Sequence, residues 1–337
     1  MLQSSAQSVS YGPELYDKIA ESGAHKASLS AWRIALLGVI AGCYVSFGAW
    51  LAVTVGGNVP DLVSANPGLQ KMLYGIFGYP MGLTLVAILG GELFTSNTAF
   101  GKGKPPLAGT LPARPLSTRG ANHPFIAVAA AVYEGKTTLL QLAKSWSISF
   151  ATNFVGCGLM VSILVAGGLI TPALHEWPVA LAIEKTHHTF LETVVRGMAC
   201  NWLVCAAMAL STAATSMGGK FVGARTLSST SRDDTDRIRS KTFFARIPAG
   251  IFLPNSAFAS LGLEHCVANM FLLQLAMAAG APLTWGEILF NNIFPAALGN
   301  VIGGAVCLAV PYALAYGRMG TRVDRWIRSH HAAAAAH

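Results

Sequence analysis

The sequence predicts an all-α membrane protein whose six transmembrane helices form an inverted three-helix repeat, with the second and fifth helices broken near mid-membrane. Three observations carry this reading. Only 11% of the 337 residues are charged and 53% are hydrophobic, whereas soluble domains hold about 25% charged residues. Six apolar runs are each long enough to cross a bilayer, which takes about 20 helical residues. The pattern of the second and third runs returns in the fifth and sixth, the mark of an internal repeat.

Taken in chain order, residues 1–30 form a polar N-terminal segment without the apolar core and small-residue cleavage site of a removable leader, so the first span is expected to direct insertion. The transmembrane domain covers 31–317, with spans at about 31–55, 72–100, 147–174, 190–217, 246–279 and 288–317. The connection 101–146 is long and rich in Gly, Pro, Lys and Arg. The connection 218–245 carries the run Ser-Ser-Thr-Ser-Arg-Asp-Asp-Thr-Asp-Arg and reads as a mobile loop, or as a regulatory segment if its hydroxyls are phosphorylated. The connections 56–71, 175–189 and 280–287 are short, and 318–337 is a C-terminal tail with a low-complexity, alanine-rich end.

A net charge of +8 raises the question of a nucleic-acid partner, which the distribution of charge answers. With both termini placed in the cytoplasm, every Lys and Arg except Lys71, Lys185 and Arg196 falls on the inner side. That is the positive-inside pattern of a multi-pass protein, expected in the plasma membrane. The basic balance therefore reports topology and no nucleic-acid face. The six cysteines (43, 157, 200, 205, 266 and 307) all lie within apolar runs, without the paired spacing of a metal site or disulfide framework. They read as small packing residues, and no cofactor is expected.

The repeat locates the chemistry. Glu92-x-x-x-x-Asn97 in the second span matches Glu264-x-x-x-x-Asn269 in the fifth, and Asn153-x-x-Gly156 in the third matches Asn300-x-x-Gly303 in the sixth. Three spans separate equivalent positions, so the two halves cross in opposite directions. In transport proteins such repeats place the substrate path at their interface, on broken helices. A charge at the bilayer centre costs ~2.5–3.5 kcal/mol on insertion scales, so Glu92, Glu264, His265 and Arg196 each need a partner or a wet cavity. The two glutamates read as structural, holding peptide groups freed at the breaks. His265 has no counterpart, since Leu93 follows the first glutamate, and a titratable ring beside a break points to function. Metal ligation is opposed because no ligand spacing includes His265 and His187 and His188 are adjacent.

The stretches Gly-Glu-Leu-Phe-Thr-Ser-Asn (91–97), Asn-Trp-Leu-Val-Cys (201–205), Gly-Leu-Glu-His-Cys-Val-Ala-Asn-Met (262–270) and Gly-Asn-Val-Ile-Gly-Gly (299–304) resemble the formate/nitrite transporter family, and the match extends over all six helices. The resemblance implies an aquaporin-like protomer in a homopentamer, with one pore per protomer and a lipid-filled central hole. It implies that Leu93, Phe94 and Thr95 form the loop of the second helix and that Glu264 and His265 lie at the break of the fifth. Lys185 would attract anions near the outer vestibule, and Asn201 would pair with the central histidine. Tyr79, where some members carry phenylalanine, and Phe258 would narrow the outer side of the pore. Leu83, Leu93 and Val204, with Phe94, would narrow the inner side.

The implied function is transport of small monovalent anions such as formate or lactate, coupled to protons by neutralising the anion before it crosses the constrictions. Nitrite or hydrosulfide are the alternative substrates. A neutral-solute channel of the aquaporin kind is opposed by the lack of Asn-Pro-Ala at either break. An enzyme using His265 and Cys266 is opposed because neighbours at a helix start diverge and no third orienting group is evident.

Overall fold

The computed structural model describes residues 12–98, 128–171, 175–213 and 249–334. Helix α1 (Gly12–Ser28) precedes the first crossing, α2 (Ala31–Gly57). After the short α3 (Pro60–Ala65), the second crossing begins at α4 (Pro67–Ile76), where the Asn66 side chain accepts the Leu69 N–H and Pro67 occupies a first-turn position whose N–H has no helical partner. It kinks at Gly78, whose φ of +122° only glycine adopts freely, and continues as α5 (Tyr79–Leu89). A four-residue helix, α6 (Phe94–Asn97), follows the break.

The third crossing, α8 (Leu139–Ala166), comes after the one-and-a-half-turn α7 (Val128–Tyr133). It starts earlier than the apolar run suggests because Thr138 and Gln141 form a reciprocal capping box, so the helix continues beyond the apolar stretch at that end. The expected connections 56–71 and 175–189 likewise hold helices, the second of them α9 (Glu176–His187). The 218–245 loop and the 101–127 part of the other long connection lie outside the described residues.

The second half repeats this plan with α10 (Phe190–Ala213), the half-helices α11 (Ala249–Ser260) and α12 (Cys266–Ala278), and the long α13 (Glu287–Tyr316). Two stretches of α13, Glu287–Ile293 and Ile302–Ala309, are wound as π-helix, and each ends just before a proline, Pro295 and Pro311. Proline cannot donate to the preceding turn, and a wider turn accommodates its ring. Among the described residues five helices are long and apolar enough to cross a membrane, the fifth crossing being assembled from the shorter α11 and α12.

Lipid gives packed helices no hydrophobic drive to associate, so close contact depends on small residues. An added Cβ at Gly156 would strike the carbonyl of Val39, and one at Gly303 the carbonyl of Met198. These equivalent glycines of the repeat let α8 lie against α2 and α13 against α10. The outer surface is apolar, with Leu36, Phe47, Leu51, Leu159, Ile163 and Phe290 exposed.

The C-terminal segment is helical through Ala334. Gly317 is extended (φ −108°, ψ −171°) and ends α13, and α14 (Arg318–Ala334) follows. Its start is tied to α1 and α7 by the buried Glu134, whose carboxylate accepts from the Tyr16 hydroxyl at 3.0 Å and the Arg318 N–H at 2.8 Å.

Candidate functional site

The two breaks are built from the same parts. At the first, Gly90 (φ +92°) ends α5, the chain runs extended through Leu93, and helix resumes at Phe94. At the second, Gly262 (φ +68°) follows α11 and helix resumes at Cys266. Asn153 bridges the first break, accepting the Phe94 N–H (2.9 Å) and donating to the carbonyls of Glu92 (3.0 Å) and Gly38 (2.8 Å). Asn300 does the same at the second, accepting the Cys266 N–H (2.9 Å) and donating to the carbonyls of Glu264 and Gly197, both at 2.8 Å. The Glu92 N–H bonds the Leu37 carbonyl and the Glu264 N–H bonds that of Arg196. Every unmet peptide group in a bilayer costs several kcal/mol, so these asparagines are what makes the breaks tolerable.

This corrects the expectation for the glutamates. Their carboxylates do not hold the freed peptide groups; they form buried ion pairs. Glu92 pairs with Lys26 at 3.1 Å and accepts from Asn97 at 3.0 Å, and Lys26 also donates to the Asn97 carbonyl oxygen Oδ1 at 3.1 Å. Glu264 pairs with Lys185 at 2.8 Å and accepts from Asn269 and from Asn292, the latter at 3.0 Å. The physical reason is reach: a one-methylene asparagine on the neighbouring crossing helix faces the backbone directly, while a carboxylate, once ionised, needs a cation. Lys185 is therefore buried, at 6% exposure, beside a carboxylate and not an open charge at a mouth.

His265 lies at the start of α12 and serves as its N-cap. Its Nδ1 accepts the Ala268 N–H at 3.0 Å, which leaves Nε2 to carry the proton of the neutral ring and donate to Thr95 Oγ1, also at 3.0 Å. Thr95, not Asn201, is the histidine's side-chain partner. The Asn201 amide is engaged elsewhere, with the Thr95 carbonyl (3.2 Å), Thr98 Oγ1 (2.6 Å) and the Asn300 carbonyl (2.6 Å), and so steadies the loop that presents Thr95.

A cavity of about 20 Å³, room for one water, lies beside this ring. Val45, Tyr79, Gly82, Leu83, Leu93, Asn255, Phe258 and His265 line it. Phe258 stacks on His265 (centroids 5.4 Å apart, 24° between planes) and meets Tyr79 edge-on at 5.4 Å, while the Tyr79 hydroxyl bonds that of Tyr74. Of the expected constriction residues, Tyr79, Phe258, Leu83 and Leu93 thus share one cavity. Phe94 packs edge-on against Phe150 at 5.1 Å, and Val204 is buried on α10; neither lines it. Neither lysine–glutamate pair lines the cavity, although Glu92 and Glu264 each directly precede a lining residue, Leu93 and His265.

A profile described as formate/nitrite transporter matches residues 13–102, 121–228 and 237–314. The chain belongs to the formate/nitrite transporter family. Similar relatives include a formate channel of Bacillus thuringiensis, 29% identical over 90% of this chain and 94% of the relative. A probable formate transporter of Methanothermobacter thermautotrophicus is 28% identical over 84% and 89%, and a formate-nitrite transporter of Plasmodium falciparum is 27% identical over 93% and 87%. Among solved structures, a pentameric formate channel with formate bound superposes with a TM-score of 0.61 at 26% identity, covering 85% of this chain and 97% of the other. An ion channel of the same family gives 0.64 at 24% identity, covering 86% and 94%, which bears on fold. Family membership makes this chain an integral membrane transport protein and not an enzyme. Among the described residues no three His, Cys, Asp or Glu side chains gather as a metal ion would need.

Sequence reasoning did not single out three residues that the family fold brings to the site. Lys26 reads in the sequence only as an inner positive charge, although it stands as far before Ala31 as Lys185 stands before Phe190, an offset that marks it as the repeat partner. Asn292 reaches Glu264 and the Lys185 carbonyl from the first π-helical stretch of α13, whose altered winding no apolar pattern announces. Asn255 sits in the cavity wall one turn before Phe258 on α11.

Proposed function

We propose that this chain is a homopentameric channel that carries small monovalent anions such as formate or lactate across the plasma membrane together with a proton, with both termini in the cytoplasm. The observation that carries this reading is the cavity itself. Its walls are largely hydrocarbon and aromatic, with one imidazole among them, and the residue before Leu93 and the residue before His265 each belong to a buried ion pair. The relatives named as formate channels and the pentameric channel with formate bound support the substrate class and the assembly.

An anion cannot enter such a neck bare, because stripping its water without replacement costs far more than thermal energy. Lys185, although buried, draws the anion by its share of an ion-pair dipole. Desolvation then raises the anion's proton affinity until it takes a proton that comes from solvent, either directly or relayed through His265, whose ring gains a proton from water as it gives one up. The solute passes Tyr79 and Phe258, then Leu83 and Leu93, as the neutral acid, beside the hydrogen-bonded His265–Thr95 pair. Net transport is anion plus proton.

Proteoliposomes tested with formate, lactate, acetate, nitrite and hydrosulfide, with internal pH recorded, decide the matter. Monocarboxylate entry with internal acidification is expected, and His265→Phe abolishes the proton-linked flux. Anion flux without acidification, normal flux with phenylalanine at 265, or preference for nitrite over every carboxylate would each overturn part of the proposal.

A further inference from the structure

The geometry points to Asn255 as a binding subsite for an oxygen of the permeating molecule, a carboxylate oxygen or the carbonyl oxygen of the corresponding acid. This deepens the transport reading above and rests on it.

The cavity wall holds few hydrogen-bond donors. Val45, Gly82, Leu83, Leu93 and Phe258 offer only carbon-bound hydrogen through their side chains. The Tyr79 hydroxyl bonds that of Tyr74, and either can donate. Both nitrogens of His265 are engaged, Nδ1 by the Ala268 N–H and Nε2 by Thr95. Of the nitrogen donors in the wall, that of Asn255 remains. This residue is 1% exposed, it lines the cavity, and its Nδ2 has no hydrogen-bond partner. Pro254, just before it inside α11, leaves the Gly250 carbonyl without its helical donor, yet the Asn255 amide does not turn back to that carbonyl.

A buried amide N–H left unmet is destabilising, and a leucine at that site would avoid the cost. What the amide gains is a hydrogen bond that forms only when a solute is present. Nδ2 is purely a donor, so its ligand is an acceptor, and oxygen accepts far better than sulfur. Asn255 and Phe258 are three residues apart and so share one face of α11. With Phe258 stacked on His265, the amide and the imidazole bound the same small space. A one-carbon or two-carbon carboxylate meets a donor there as its water is lost, which lowers the barrier for oxygen acids over hydrosulfide.

The test compares wild type with Asn255→Leu and Asn255→Asp in proteoliposomes, measuring formate and hydrosulfide flux in parallel, the apparent KM for formate, and the melting temperature of the purified protein. In Asn255→Leu the apparent KM for formate rises about tenfold, the scale of one lost hydrogen bond. Hydrosulfide flux stays within about twofold, and melting is unchanged or higher because no partnered group has been removed. Asn255→Asp, which puts a second acceptor opposite the anion, transports formate less well than either. An unchanged KM, or equal losses for both solutes, overturns the assignment. So does a clear fall in melting temperature, the sign that the amide has a structural partner. A wild-type protein that moves no formate defeats the transport reading instead.

Discussion

Replacing Lys185 by methionine while Glu264 remains is the most informative perturbation, because it separates what the lysine does for the fold from what it does for the solute. The pair lies at 2.8 Å with side-chain exposures of 8% and 0%. At an effective dielectric of about 20, two charges at that distance attract by roughly 6 kcal/mol. Losing one partner of a buried pair typically costs about 3–5 kcal/mol. Asn269 and Asn292 still donate to Glu264 in the variant, which places the expected loss at about 3 kcal/mol, the lower end of that range. Glu264→Gln, which strands the ammonium, should cost about as much. The double variant removes both charges and should return to within about 1 kcal/mol of wild type, since a buried pair gains little over a neutral substitute. Denaturant or thermal unfolding of the purified protein measures the cycle, and formate flux at low concentration is recorded on the same preparations. Two additive losses would refute the view that the pair acts as a unit. Restored stability with wild-type flux would take Lys185 out of the transport mechanism, whereas restored stability with weak uptake at low substrate is the expected result.

Other consequences follow from the same geometry. Asn300→Ala strands the Cys266 N–H and two carbonyls, so it should cost at least about 3 kcal/mol and Asn153→Ala a similar amount; a loss under about 1 kcal/mol in either would contradict the bridging role. Phe258→Ala opens the wall between Tyr79 and His265 and should admit larger monocarboxylates, and an unaltered size cutoff in liposomes counts against Phe258 as the filter. The Tyr16 phenol is held above its ordinary value of 10 by burial and then by the Glu134 carboxylate beside it. Because the folded value is the higher one, its contribution is complete below about pH 10 and is lost as pH rises further. Hydrogen exchange over α1 should therefore be independent of this group up to about pH 9.5 and accelerate above about pH 10.5, and Tyr16→Phe should remove the transition; no acceleration in wild type would mean that the Tyr16–Glu134 contact does not hold α1.

The symmetry of the breaks explains why they can exist at all. Each interrupts a helix within a membrane crossing, and each is accompanied by one asparagine from the next crossing, one buried ion pair and one glycine of positive φ. The departure from symmetry lies on the residue after the glutamate. Leu93 and His265 occupy matching positions, both line the cavity, and only one of them can exchange a proton. The cavity is thus oily at one break and polar at the other.

The sequence alone determined the features that depend on composition and local spacing. Low charge and six apolar runs dictate a bundle of spans, the sorting of Lys and Arg bears on orientation, and the Glu-x-x-x-x-Asn and Asn-x-x-Gly pairs announce two related halves and their breaks. His265 was legible because an unmatched titratable residue in apolar sequence has few bland explanations. What needed the tertiary structure was the identity of partners. Glu264 meets Lys185, 79 residues away in the chain, and Glu92 meets Lys26. His265 bonds Thr95 while Asn201 holds the loop behind it, and Asn255 lines a cavity with its Nδ2 unpartnered. A hydrogen bond or ion pair is decided by distances of a few tenths of an ångström between groups carried on different helices, and no one-dimensional pattern encodes which of several polar residues comes that close.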